Sequence, residues 1–134
     1  MYRLLGNDVI DTEELVNVIE QKTNIKVRED ISNATKRDDA VGLRLSISIS
    51  ELGYDSTLKY EDESIMDSLL TKSDEYVKKE LQEPMKEFAE NTEYNIYSYS
   101  FDEVRNEVLI VFAMMSIYNS QRKLRDVIKR LLTI

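Results

Sequence analysis

The chain has no cysteine and no histidine, and the two absences remove whole classes of chemistry at once. Without thiols there is no cysteine nucleophile, no disulfide and no thiolate-bound zinc. Without imidazole there is no histidine general base and no triad built on one. A chain free of thiols is indifferent to redox state, which fits a reducing compartment without requiring it. Glycine occurs three times and proline once, so there is neither a glycine-rich phosphate loop nor the composition of a disordered tail. The N-terminal MYRLLGNDVID has no apolar run or cleavage pattern of a signal peptide. The expected location is therefore the cytoplasm, with no membrane partner.

What the chain has in quantity is charge. A third of its residues are charged and the net value is −8, which argues against binding duplex DNA, whose affinity comes largely from cations on phosphates. The distribution is uneven. From Gln121 to Ile134 there are five cations against Asp126 alone, a net +4, so the rest of the chain carries −12. Opposite signs on body and tail can attract each other, or their copies in a neighbouring subunit.

Against this background Val108 to Tyr118, VLIVFAMMSIY, stands out as eleven residues without a formal charge. It is too short to span a bilayer, which takes about twenty apolar residues in a helix. As a strand it is apolar on both faces: Val108, Ile110, Phe112 and Met114 point one way, Leu109, Val111, Ala113, Met115 and Ile117 the other. A strand of this kind must be covered twice. One domain of 134 residues with three helices is expected to have too little apolar material for both faces, which leaves a surplus for a partner.

The remaining elements follow from periodicity. Asp11 with Glu14 three residues on has the form of a capping box, and Leu15, Val18 and Ile19 then share a helix face up to Asn24. Ile25 to Val27 reads as a short strand and Ser32 to Asp39 as an exposed polar loop. Strict alternation from Leu43 to Ser50 marks a half-buried strand, with Arg44, Ser46, Ser48 and Ser50 opposite the apolar set. Gly53 and Asp55-Ser56 make a turn, after which Thr57 to Tyr60 can return as a partner strand. A long helix runs from Ile65 to about Glu90, with Pro84 expected to kink it or to open a fresh turn. Tyr94 to Phe101 alternates again, with Ile96 on one face and Tyr97, Tyr99 and Phe101 on the other. It forms an antiparallel hairpin with the apolar run through Arg105-Asn106. Residues 120–134 form a basic amphipathic terminal helix whose stripe is Leu124, Val127, Ile128, Leu131 and Leu132. The fold class is α+β: a single domain with an antiparallel sheet of about four to five strands packed against three helices.

Candidate chemistry is sparse. Glu61, Asp62 and Glu63 could gather a cation, but an acidic first turn of a helix is the ordinary reading. Ser46, Ser48 and Ser50 have no imidazole partner, and the spacing from Ser68 to Lys72 is not that of a serine and lysine pair, so these hydroxyls read as a packing or interface surface. Tyr94, Tyr97, Tyr99 and Phe101 lack the interleaved cations of an RNA-binding sheet. No catalytic residue, cofactor site or metal site is assigned, and the chain is expected not to be an enzyme. The interface expected instead comprises Leu109, Val111 and Met115 on the second face of the apolar strand, with Arg122, Arg125, Lys129 and Arg130 on the terminal helix.

The element order resembles that of the small tail-terminator and tail-completion proteins of tailed bacteriophages. The residues that carry it are Leu43 to Ser50 as mid-chain strand, Ile65 to Phe88 as helix, and Tyr94 to Tyr118 as a final hairpin ending in Met-Ser-Ile-Tyr. It covers about two-thirds of the chain. A baseplate-wedge subunit ends similarly, but its Glu-Pro-Arg signature is met here only by Glu83-Pro84 followed by Met85. The acidic chaperones of type III secretion share size, charge and alternation. The first resemblance implies a ring-forming, non-enzymatic virion component whose partners are copies of itself and other virion proteins. The alternative is an acidic DNA mimic of the anti-restriction or anti-CRISPR type, with carboxylates of the Glu61 to Glu90 helix in place of phosphates.

Overall fold

The uncharged run becomes an inner strand of a four-stranded antiparallel sheet, in a computed structural model that describes residues 1–54, 63–88, 91–118 and 121–134, without the side chains of Gln121 and Arg122. In chain order the elements are β1 (Tyr2–Leu5), β2 (Asp8–Asp11), α1 (Thr12–Lys22), β3 (Lys26–Asp30), β4 (Ala40–Ser48), α2 (Glu63–Met85), β5 (Thr92–Asp102), β6 (Glu107–Ser116) and α3 (Gln121–Leu131). Short 3₁₀ turns occupy Ser32–Thr35 and Ile49–Leu52. The large sheet has the order β3-β4-β6-β5, and β1 pairs with β2 as a separate ribbon. The class is α+β. The expected strand at Thr57 to Tyr60, the Asp55-Ser56 turn and the carboxylates Glu61 and Asp62 lie outside the described residues.

Local chemistry sets the element ends. Asp11 caps α1 by accepting from the Glu13 N–H at 3.1 Å, and both the N–H and the hydroxyl of Thr23 close the helix on the Ile19 carbonyl. Pro84 does not start a new helix. It sits one residue from the end, where a missing N–H costs a single bond, and the chain then leaves through 3₁₀-type bonds onto Glu83, Pro84 and Met85.

The first face of the sheet presents Leu43, Leu45 and Ile47 from β4 and Ile110, Phe112 and Met114 from β6. Leu15 and Ile19 of α1 and Leu69, Val77 and Leu81 of α2 cover it. The second face presents Ala40, Val111, Ala113 and Met115, which are covered by Leu124, Val127, Ile128 and Leu131 of α3. Val111 is 1% exposed and Met115 0%. The expected surplus of apolar surface on this strand is therefore corrected, and Val111 and Met115 are core residues under the chain's own terminal helix.

The reason that three helices suffice lies in β4. An eleven-residue helix is only about 16 Å long and spans half of this sheet face. Under α3 the second-face residues of β4 are Ala40 and Gly42; beyond it they are Arg44, Ser46 and Ser48, which accept partial solvation or polar partners. Gly42 allows the close approach. A Cβ there would stand 3.1 Å from Leu131 Cδ1, 3.1 Å from Thr35 Cγ2 and 3.2 Å from the Ile31 carbonyl oxygen.

Two further sequence expectations are revised, and one hairpin had no counterpart among them. The Ser32 to Asp39 segment is not simply an exposed loop: Ser32 and Thr35 are fully buried, and Ser32 Oγ bonds both the N–H and the carbonyl of Gly42. In β5 a bulge between Ser98 and Ser100 absorbs Tyr99 and reverses the alternation, so Phe101 joins Ile96 in the first core instead of opposing it. The N-terminal residues pair as a hairpin through Gly6-Asn7, with Gly6 at a φ of +65°, as a primed two-residue turn requires at its first central position.

Candidate interaction surfaces

The uncovered half of the second sheet face is polar and internally paired. Glu107, nearly fully buried at the start of β6, meets Arg28 Nη2, the Lys26 ammonium at 3.3 Å and the Ser46 hydroxyl at 3.4 Å. Arg28 Nε also donates to Ser46 Oγ at 2.9 Å, and Arg44 pairs with Glu29 at 2.7 Å. Ser46 thus serves packing, while the Ser48 and Ser50 hydroxyls lie 2.9 Å apart at the strand end. Leu109 lies opposite Ser46 on this half and keeps partial exposure, unlike Val111 and Met115.

Both edges of the large sheet resist strand addition. On β3 the edge is Lys26, Arg28, Glu29 and Asp30, mostly exposed. On β5 the N–H of Ile96 donates to the Asn95 side chain at 2.9 Å, and the N–H of Ser98 donates to Asp74 of α2 at 2.8 Å. The Ser98 and Ser73 hydroxyls, both buried, meet at 2.9 Å beside them. Tyr94 stacks on Phe112 with ring centroids 5.7 Å apart, and burial raises its phenol pKa above 10.0. Tyr97 alone of the four β5 aromatics is exposed, so they form no stacking platform.

On α3 the side chains of Lys123, Arg125, Lys129 and Arg130 all reach solvent, whereas the side chain of Arg122 lies outside the described residues. Lys123, Asp126 and Arg130 share the helix side facing the Ser32–Thr35 turn; Arg125 and Lys129 point away from it. On α2, Lys72, Lys78 and Lys79 stand among Asp67, Asp74, Glu75, Glu80 and Glu83, which breaks the continuous run of carboxylates that a phosphate mimic needs. Among the described residues no cluster of acidic side chains could hold a metal ion, and no helix is long and apolar enough to cross a membrane.

Three large apolar side chains are exposed side by side on the N-terminal ribbon. Arg3, Leu5 and Ile10 point inward, and the opposite face presents Tyr2, Leu4 and Val9, exposed by 73%, 55% and 65%, with Leu4 directly across from Val9. Tyr118, largely exposed, stands beside the ribbon's turn, 3.9 Å from where a Gly6 Cβ would lie. Next to the ribbon is a cleft of about 450 Å³ lined by Asp8, Asp11, Glu14 and Glu87, with Lys86 as the one lining cation among the described residues. Sequence reasoning missed this surface although Gly6-Asn7 between two short runs is a hairpin signal.

No family model, no curated protein and no solved structure matches the chain.

Proposed function

We propose that this chain is a non-catalytic assembly subunit that associates with copies of itself and with other proteins of a larger particle. The particular role we propose is that of a tail-joining or tail-terminator-like virion component, made in the host cytoplasm and retained in the virion. The observation that carries the reading is the outward face of the β1–β2 ribbon, where Tyr2, Leu4 and Val9 stand together in solvent. Covering side chains of this size contributes about 1–2 kcal/mol each at such exposures, and Tyr suits the centre of an interface.

Charge supplies the direction of the contact. The acidic cleft beside the ribbon is complementary to the Arg125 and Lys129 side of α3. The two surfaces lie at different places on the molecule, so pairing them between copies is head-to-tail, the kind of contact that closes rings. Strand addition to the large sheet is not the route, because the Ile96 and Ser98 N–H groups of one edge are capped by side chains and the other edge is charged.

Sedimentation of the purified chain over a concentration series at low and high salt tests the reading. The expected result is a defined oligomer that loosens with salt. Leu4→Glu with Val9→Glu abolishes it, and Arg125→Glu with Lys129→Glu weakens it, each with an unchanged melting temperature. A monomer throughout the series overturns the proposal.

A further inference from the structure

We propose that the cleft between α3 and the Ser32–Thr35 turn is a binding site for a dianionic phosphate group. It has a volume of about 190 Å³ and is lined by Thr35, Lys36, Arg37, Lys123, Asp126 and Arg130, with Val127 at its base. Residues more than eighty positions apart in the chain thus put four cations around one opening, in a molecule whose net charge is −8.

The charges of this cleft do not cancel. Arg37 is spent on Asp39, to which Nε and Nη2 donate at 2.7 and 2.9 Å, and that pairing holds the Asp39 carboxyl below its ordinary range. Setting Asp39, which Lys123 also attracts, and Asp126 against the four cations leaves a balance of +2 among the described residues. A phosphate monoester near neutral pH carries about −1.5 to −2. Carboxylates bring half of that charge, and the planar guanidinium of Arg130 suits two phosphate oxygens at once.

The wall of the cleft is fixed from behind. Buried Arg3 donates to the Arg37 carbonyl at 2.8 Å and to Asn33 Oδ1 at 2.6 Å, and the Thr35 hydroxyl bonds the Ser32 carbonyl at 2.7 Å. With the turn held this way, Lys36 sits in a left-handed conformation, φ 58°, and extends into solvent. Arg130 Nη1 approaches the Thr35 carbonyl at 3.4 Å, a long bond that leaves its other donors for a ligand. A site ordered before binding loses less entropy when it binds.

The test uses the full chain, ¹⁵N-labelled, titrated with inorganic phosphate, with a nucleoside monophosphate, and with a short single-stranded oligonucleotide at equal phosphate concentration. The expected result is saturable shifts at the amides of Lys36, Arg37, Lys123 and Arg130 with both of the first two probes. Tighter binding of the nucleotide identifies a phosphorylated small molecule as the source, and equal binding identifies free phosphate. Lys36→Gln and Lys123→Gln each weaken binding about tenfold, the loss of one charge-assisted contact, with unchanged melting and sedimentation. Preferential binding of the oligonucleotide overturns the monoester assignment in favour of a nucleic-acid backbone. Shifts centred on Arg125 and Lys129, insensitivity to both substitutions, or no saturation overturns the site.

Discussion

The seating of α3 on the second sheet face can be tested at one atom, the Cβ that Gly42 lacks. Gly42→Ala places a methyl 3.1 to 3.2 Å from three neighbours that belong to three different segments. Leu131 Cδ1 and Thr35 Cγ2 are side-chain atoms and can give by a few tenths of an ångström, but the Ile31 carbonyl is backbone. The strand cannot slide away either. Ile31 N–H and Ser32 Oγ donate to the Gly42 carbonyl at 2.9 and 3.3 Å, and the Gly42 N–H donates to Ser32 Oγ at 3.1 Å. Overpacking of a tight site costs about 1–3 kcal/mol, and losing a glycine from a strand returns about 0.5–1 kcal/mol through the unfolded chain. The net expectation is a loss of roughly 1–2 kcal/mol, a fall in melting temperature of about 3–8 °C for a chain of this size. Gly42→Val should exceed that loss. Urea unfolding reads both, with an unchanged m-value indicating that the native surface is retained. A Gly42→Val chain as stable as the parent would refute the packing of α3 and the 3₁₀ turn against β4.

Three further outcomes follow from the side-chain geometry. Glu107→Gln keeps the shape but removes the anion that Arg28 and Lys26 share. Because Lys26 is well exposed and Arg28 partly so, the cations rehydrate, and the loss should be about 1–3 kcal/mol instead of the full cost of a buried unpaired charge. A cycle with Arg28→Met measures the coupling, and additivity would show the pair to be incidental. Asp74→Ala uncaps the Ser98 N–H at the β5 edge and should cost about 1 kcal/mol and promote concentration-dependent association by strand pairing, whereas Asp74→Asn, which keeps an acceptor, should not; light scattering separates them. Asp39 is held below its ordinary 3.8 by Arg37, and at Asp30 the upward push of burial is outweighed by hydrogen bonds from Ser32 and Thr12 together with the charge of the N-terminus. Depressed carboxyls contribute stability above the unfolded value and lose it as pH falls through the folded one. Asp30→Asn with Asp39→Asn should therefore flatten the loss of stability below about pH 4, and an unchanged acid limb would contradict the assignment.

Much of this architecture was legible as pattern. The alternation of Leu43, Leu45 and Ile47, the helical spacing of Leu69, Val77 and Leu81, and the charge-free run at Val108 each placed an element of the right type. Periodicity is a local signal, so it failed wherever a distant contact reset the parity or supplied a partner. The bulge at Tyr99 moved Phe101 to the other face, and the polar Ser32–Thr35 turn was buried because Gly42 and Leu131 close over it. The acidic segment at Glu61 and Asp62 lies outside the described residues.

By itself the amino-acid order determined the fold class, the apolar character of both faces of the uncharged strand and the amphipathic character of the terminal helix, because each rests on side chains spaced within single elements. Only the tertiary structure decided that this helix lies on its own sheet, that Val111 and Met115 are core, that Lys36 joins Lys123 and Arg130 at one cleft, and that Tyr2, Leu4 and Val9 remain in water. Coverage and exposure are properties of surfaces brought together from distant parts of the chain, and spacing along the chain does not encode which of two apolar faces finds a partner first.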